Sequence, residues 1–416
     1  MYLVPIAVPV HVDGARCCIG TEWKRSLELL RDSLQGRFGP LMVVAPTLPL
    51  EAGSEQLLED CTVGQDGIGL VPSFDARLRL RDYWTTGAHG RWKAQVSELT
   101  RQAQVVHATI GDAFRPFCVA AVDVAHRAGK PVVFVVDQDI VLRMERARPQ
   151  LSWPRQMESR VHAALYERQG RRACAQADLV MLKGRTTAAR YGGFSRVWHP
   201  IEDTSYLSRE IVAADVVQER TGQLLRREGP LRLVFCGRLV DIKGVDLSID
   251  LVAQARKAGA DVVFDVIGGG PDMEALRRRA AEQGVADAVH FHGAMPYGPQ
   301  LLQRLASAHA LLFTPRIDET PRMIFDGYAA GLPLVASAID YVAERAETDQ
   351  AAVLLPQDLA GSQSTAVATL VGLDRDRERL AALTARALAA AHEHAADRWY
   401  ERRAQWTFEM VERHAG

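Results

Sequence analysis

Short apolar runs alternate with amphipathic stretches along most of the chain. In the first half, Leu3–Val10, Leu41–Ala45, Val105–Ala108, Pro131–Val136, Leu179–Leu182 and Val197–Ile201 read as strands. Helical patterns fall between them. Trp23–Leu34 carries Trp23, Leu27, Leu30 and Leu34 on one face, Arg115–Ala128 separates two strands, and Leu151–Gln176 is a long helical segment. The second half repeats the rhythm. Its strands read as Leu231–Phe235, Val262–Ile267, Val289–His292, Ala310–Thr314 and Leu334–Ala336, with helices over Val245–Ala258 and Met273–Gln283. Strands alternating with helices of about ten residues or more predict βαβ units and parallel sheets, an α/β fold. Ser205–Pro230 lacks a strand signal and has mixed charge, which predicts a connection. From Asp374 the pattern is helical, Ala-rich first and then aromatic with Trp399, Tyr400, Trp406 and Phe408. The expected organisation is one domain over 1–205, a linker over 206–230, a second domain over 231–373 and C-terminal helices over 374–416.

Composition narrows the function classes. The 416 residues are enough for two cores, and 48% apolar with 24% charged residues is ordinary for a soluble globular chain. Fifty Lys and Arg against 51 Asp and Glu leave a net charge of −1, which argues against a dedicated nucleic-acid binder. The six cysteines (Cys17, Cys18, Cys61, Cys118, Cys174 and Cys236) form no CxxC or Cys/His zinc spacing. Cys118, Cys174 and Cys236 lie in apolar or Ala-rich stretches and are expected as buried free thiols. The N-terminus lacks a basic n-region and a small-residue cleavage site, and no apolar run approaches the roughly 18 residues of a membrane span. The expected location is cytoplasmic.

The charge is unevenly spread. Arg143–Arg196 holds 12 Lys/Arg against 4 Asp/Glu, a net of +8, so the rest of the chain carries −9. Arginines also interleave with Tyr83, Trp84 and Trp92 over Arg77–Lys93. A basic N-terminal half suits an anionic acceptor or peripheral contact with the inner face of a membrane.

Three segments of the second half carry candidate chemistry. In Val234-Phe-Cys-Gly237-Arg238-Leu-Val-Asp-Ile-Lys243-Gly244, a strand ends at Gly237 and two cations follow in the next loop. Loops after the carboxyl ends of parallel strands face the ligand, and two cations there can hold a diphosphate. In Val266-Ile-Gly268-Gly-Gly270-Pro271, a Gly-rich turn opens a helix. It is not a dinucleotide fingerprint, because the third glycine would fall on Met273. In Asp318-Glu-Thr320-Pro321-Arg322-Met-Ile-Phe-Asp326…Gly331-Leu-Pro333, Thr320 suits an N-cap, Pro321 the first helical position and Gly331 the residue beyond the helix. This predicts a helix of about ten residues, with Asp326 available to sugar hydroxyls. Each segment taken alone also reads as an ordinary surface loop or capped helix.

Together these segments resemble the donor half of the retaining GT-B glycosyltransferases of family four, also called group one. That family carries a G-R-L-x-x-x-K-G loop, a G-x-G-P turn, an F-x-G strand end, and a Glu-x7-Glu helix ending in A-x-G-x-P. Here the counterparts are Gly237-Arg238-Leu239…Lys243-Gly244, Gly268-Gly-Gly270-Pro271, Phe291-His-Gly293 and Ala329-Ala-Gly331-Leu-Pro333, in the same order over about 231–340. The resemblance implies two Rossmann-like domains facing across a cleft, with a helical C-terminal tail. It implies that Arg238 and Lys243 hold the diphosphate of a nucleotide sugar, that Asp318 lies near the donor sugar and that Asp326 binds the ribose. Both glutamates of the family are aspartates here. Its F-G is Thr320-Pro321, so one backbone N–H is absent and Arg322 is expected to compensate.

The first half resembles the family less. Val105-Val-His107-Ala-Thr109 is similar to its V-V-H-A-H and Pro131…Asp137 to its P-V-V-x-T-x-H, with a histidine replaced in each. Asp13-Gly14 suits a glycine loop under the acceptor. Asp13, Gly14, His107 and Asp137 are therefore the expected acceptor-side residues. Asp137-Gln-Asp139 also spells the D-x-D that chelates a metal in another glycosyltransferase architecture. With the diphosphate already assigned to cations, neither metal nor cofactor is expected. The UDP-, GDP- or other nucleotide sugar is then a substrate, and the activity a metal-independent retaining hexosyl transfer to a sugar, glycan or lipid-linked acceptor. A sugar-nucleotide epimerase or phosphorylase of the same architecture, and a non-catalytic sugar-nucleotide binder, are the alternatives.

Overall fold

A computed structural model describes residues 1–14, 16–50, 58–60 and 68–415, and Cys61 lies outside them. The chain divides into two compact units, Met1–Asp203 with Asp397–Gly416, and Thr204–Ala396. The first begins β1 (Tyr2–Pro5), β2 (Val10–Asp13), β3 (Arg16–Gly20), α1 (Thr21–Ser33), β4 (Leu41–Pro49), β5 (Leu58–Asp60) and β6 (Ile68–Asp75). It continues with α2 (Leu80–Thr85), α3 (Ala88–Gln102), β7 (Val105–Thr109), α4 (Phe117–Arg127), β8 (Val132–Val136), α5 (Ile140–Ala147), α6 (Trp153–Gln176), β9 (Leu179–Lys183), α7 (Arg185–Tyr191) and β10 (Trp198–Ile201). The sheet order is β10-β9-β8-β7-β1-β4-β2-β3-β5, with β6 also paired to β4. Pairing is parallel except at β2–β3 and β3–β5. The expected strand Leu3–Val10 stops at Pro5, and the chain re-enters the sheet as a hairpin beside β4.

The second unit holds α8 (Ala214–Leu225), β11 (Leu231–Cys236), α9 (Val245–Lys257), β12 (Val262–Ile267), α10 (Met273–Glu282), β13 (Val289–Gly293), α11 (Pro299–Ala306), β14 (Ala310–Phe313), α12 (Met323–Ala329), β15 (Leu334–Ser337), α13 (Asp340–Thr348), β16 (Ala352–Leu355), α14 (Gln363–Arg375) and α15 (Arg377–Glu393). Its six strands are all parallel, in the order β13-β12-β11-β14-β15-β16. The apolar runs of the central strands β11, β12, β14 and β15 are largely buried on both faces, as parallel sheets require, and the edge strand β13 is more exposed. From β11 the chain winds outward to β13, then returns to β14 and winds the other way. The reversal leaves a crevice at the carboxyl ends of β11 and β14, where open α/β sheets take ligands.

The predicted linker is more than a connection. It forms α8 of the second unit, and buried Arg220 on it donates to the carbonyls of Ala306, Ala330 and Gly331 at 2.7–2.9 Å. The predicted C-terminal helices divide between the units. α15 packs on α8 and α12, whereas α16 (Ala396–Ala415) runs on the first unit. There Trp406 stacks on His199 with centroids 4.2 Å apart, and Phe408 meets Phe38 beneath the Arg37 guanidinium. Of the basic-aromatic stretch, Tyr83 and Trp92 belong to the core with Phe74 and Phe117, and Trp84 stays exposed. Cys118 and Cys174 are buried free thiols and Cys236 is half-buried.

Candidate functional site

The loops after β11, β12 and β13 continue the sheet's pairing beyond the strand ends. Gly237 N–H donates to Ile267 O, Leu239 N–H to Gly269 O and Gly268 N–H to Gly293 O, at 2.8–2.9 Å. The loops lie so close that a Cβ on Gly268 would run into Gly237 O, and one on Gly270 into Leu239 O. These glycines therefore serve backbone-on-backbone contact first. The expected loop geometry is present, and its immediate cause is the neighbouring loop.

Across the switch point, the loop after β11 is tied to that after β14. Thr314 Oγ1 donates to Gly244 O at 2.7 Å and sits 2.7 Å from Ser248 Oγ, while Arg316 N–H donates to Ile242 O at 3.0 Å. Arg316 also pairs with Asp241 and Asp246. Gly244 has φ +62° and faces Thr314 O, so a side chain is barred there by both conformation and space. This closure carries Lys243 to Glu319, Nζ to Oε2 2.5 Å, with both side chains largely buried. An ammonium has three donors, so two remain for a ligand. Arg238 is exposed at the end of β11 and makes no side-chain hydrogen bond or ion pair with any described residue.

Several predicted positions fall elsewhere. Asp318 accepts from the backbone N–H of Asp340 at 2.9 Å, so its Oδ1 caps the start of α13 and it is Glu319 that reaches Lys243. The resemblance implies a place near the donor sugar for Asp318, not a partner for Lys243. A carboxylate next to it as partner for Lys243 was the signal available for Glu319. α12 is shorter than expected: Met323–Ala329 is seven residues, and its N-cap is Arg322 rather than Thr320, with no side-chain cap bond. Its carboxyl end follows the prediction. Gly331 has φ +67°, Gly331 N–H donates to Tyr328 O and Leu332 N–H to Gly327 O, the paired bonds of a glycine C-cap. Val212 N–H satisfies Ala329 O at 2.8 Å. Asp326 is buried within α12, 8% exposed. Phe291 stands two residues before Gly293, where β13 ends. It packs on the core with the Arg277 guanidinium 5.1 Å above its ring. Pro271 is exposed just before α10.

The expected acceptor-side residues lie on separate strands and strand ends of the first unit. His107 is buried on β7 with Nδ1 2.9 Å from the Tyr2 hydroxyl. Asp13 ends β2 and Gly14 turns the hairpin into β3, two strands from β1 on the side away from β7. Asp137 follows β8 and is exposed. Asp139 caps α5 through Leu142 N–H and holds Arg190 Nε at 2.9 Å, so this carboxylate is committed to protein donors.

One buried and one half-buried imidazole, and Arg220, yield predictions. Burial, with Arg403 nearby, lowers the His107 pKa to about 3, and burial lowers His309 to about 4. Both stay neutral in the folded chain, whereas an unfolded histidine protonates near 6.5. Their contribution is present above about pH 6.5 and lost as pH falls toward these values. For His107 the loss from pH 7 to pH 5 is about 2 kcal/mol, read as a lower urea midpoint, and His107→Gln should flatten that dependence. Arg220→Met removes three carbonyl bonds from the ends of α11 and α12. A loss of about 3 kcal/mol is expected in urea titration, with weaker donor binding by calorimetry.

A cationic loop at the switch point of a parallel sheet, in a chain with a second parallel-sheet unit, is the arrangement of the GT-B glycosyltransferases. Residues 230–372, within the second unit, match the family described as glycosyl transferases group 1. The chain is 27% identical over 170 residues to the 2-deoxystreptamine glucosyltransferase of Streptomyces kanamyceticus, which covers 41% of this chain and 44% of that protein. It is 31% identical over 148 residues to the GDP-mannose-dependent alpha-(1-6)-phosphatidylinositol monomannoside mannosyltransferase of Mycolicibacterium smegmatis, 34% of this chain and 36% of the relative. Each match thus spans less than half of the relative. The fold is shared over the whole length with Anabaena Alr3699/HepE, solved in complex with UDP (TM-score 0.66, 15% identity, 98% of this chain and 100% of that one). It is likewise shared with WaaG, a glycosyltransferase involved in lipopolysaccharide biosynthesis (TM-score 0.64, 14% identity, 98% and 99%).

Proposed function

We propose that the protein transfers a sugar from a nucleotide-sugar donor to an acceptor, with retention at the anomeric carbon and with the donor held by the unit Thr204–Ala396. The observation that carries this reading is the pairing of an unpartnered, exposed Arg238 with a Glu319-held Lys243 at the β11/β14 switch point. As the glycosidic bond breaks, negative charge grows on the leaving diphosphate, and preset cations stabilise that charge without reorganising. Arg238 offers a planar fork to phosphate oxygens, and Lys243 a point charge whose direction Glu319 sets. Asp326 on α12 is assigned to the ribose and Arg322 to the phosphate left without a backbone donor at Pro321. The GDP-mannose-dependent phosphatidylinositol monomannoside mannosyltransferase, the 2-deoxystreptamine glucosyltransferase and the UDP complex of HepE support a nucleotide-sugar donor. Calorimetry against a panel of UDP-, GDP- and other nucleotide sugars, followed by NMR of the product's anomeric centre, tests it. Failure to bind any nucleotide sugar, or an inverted product, overturns it. Donor turnover without an acceptor would favour the epimerase or phosphorylase reading, and binding without turnover the non-catalytic one. Arg322→Ala should raise the donor Kd about tenfold, the scale of one charge-assisted hydrogen bond. Unchanged affinity removes Arg322 from the site.

A further inference from the structure

We propose that the outward face of α6 is a docking surface for an anionic lipid bilayer. The helix is seated firmly on its other side, where Ala163, Tyr166, Gly170, Ala173 and Cys174 are buried. A Cβ on Gly170 would stand 2.7 Å from the Tyr191 ring and 2.8 Å from Ile110 Cδ1, so the helix cannot roll to hide its other side. That side is apolar where solvent would favour polar groups. Trp153 is 74% exposed, Met157 41% and Val161 60%. Spaced four residues apart, they form one stripe. Arg160, Arg168 and Arg171 interleave with them on the same face.

Charge complementarity selects the occupant. Exposed Arg155, Arg160, Arg168 and Arg196 form no ion pair with any described residue, and Arg160 meets only Met157 Sδ, at 3.6 Å. The nearby acids are mostly spent: Glu167 pairs with Arg171 and Arg190, and Glu145 with Arg190. Exposed Phe194 sits under the Arg171 guanidinium, 4.8 Å away, which widens the aromatic and basic strip. A helix lying in the plane of a bilayer meets phosphates along its whole length, about 36 Å for its 24 residues. Tryptophan and arginine both suit that boundary, one with an amphipathic ring and the other with an apolar stem beneath a charged head. Among the described residues no helix is long and apolar enough to cross a membrane, so this contact lies on the surface.

Co-sedimentation of the full chain with vesicles tests the surface. Strong binding is expected to phosphatidylcholine vesicles containing about 30% phosphatidylglycerol at about 50 mM salt, falling at least about tenfold at 500 mM or on pure phosphatidylcholine. Trp153→Ser with Val161→Ser, and separately Arg160→Gln with Arg168→Gln, should each weaken binding about tenfold. Both pairs are solvent-exposed, so the Tm and donor affinity should stay unchanged, which separates failure of this surface from failure of the donor site. Absence of binding at low salt, equal binding to neutral vesicles, or variants that bind like the parent would overturn the proposal. So would a concentration-dependent dimer abolished by Trp153→Ser, which would assign the face to a second copy of the chain.

Discussion

Replacing Arg238 and Lys243 together by alanine should abolish sugar transfer, with kcat/KM down by at least about 10⁴, because each removed donor to developing charge costs about 10²–10³. The two single variants should differ in kind. Arg238 lies exposed without an ion pair to any described residue, so Arg238→Ala removes a cation and leaves the loop geometry intact. Lys243→Ala also strands the largely buried Glu319 carboxylate, whose partner at 2.5 Å is gone. An unpaired carboxylate beside the phosphates repels them, so this variant should bind donor more weakly than the Arg238 variant. Lys243→Ala with Glu319→Gln removes that repulsion and should recover part of the donor affinity but little of the rate. Turnover retained by the double cation variant would refute the assignment.

Gly244→Ala is expected to be among the most damaging single methyl groups in the second unit, alongside one on Gly268. Gly244 combines φ +62° with the carbonyl of Thr314 where a Cβ would stand. A left-handed backbone alone costs a non-glycine residue about 1 kcal/mol or more, and the collision forces the loops after β11 and β14 apart. A loss of at least about 3 kcal/mol follows, which lowers the Tm by roughly 6–12 °C for a unit of this size. Because those loops carry Lys243 and Glu319, donor binding should fall with it. Gly259→Ala is the matched control, with φ +88° and open space around the missing Cβ. It should cost only about 1 kcal/mol and leave donor affinity untouched. Equal losses in the two variants would show that backbone conformation, rather than the Thr314 contact, sets the penalty.

Much of the fold was legible because parallel strands are buried on both faces and read as unbroken apolar runs. The runs over Val132–Val136 and Val262–Ile267 could be little else. The linker could not be read. Arg220 looks like any charged residue until the exposed carbonyls of α11 and α12 are seen to converge on it. His107 shows the same limit in the first unit, where its burial against the Tyr2 hydroxyl on β1 could not be read from the strand alone.

At the β11/β14 switch point, the order of motifs along the chain was enough to place Gly237, Arg238 and Lys243 after a strand end and Gly331 after a helix end, because ends are marked by local chemistry. Local chemistry also placed the glycines of the β12 turn. Which acid meets Lys243 was decided only in three dimensions. Asp318 and Glu319 are neighbours of similar chemistry, and the start of α13 takes the first while the closure of Gly244 on Thr314 brings Lys243 to the second. The uneven charge was likewise a property of the sequence, with the +8 stretch visible by counting. Whether its arginines were paired, and that Trp153, Met157 and Val161 share their face, depended on which side of α6 the core claimed. Side-chain partnership is set by the packing of distant elements, and a linear sequence carries it only indirectly.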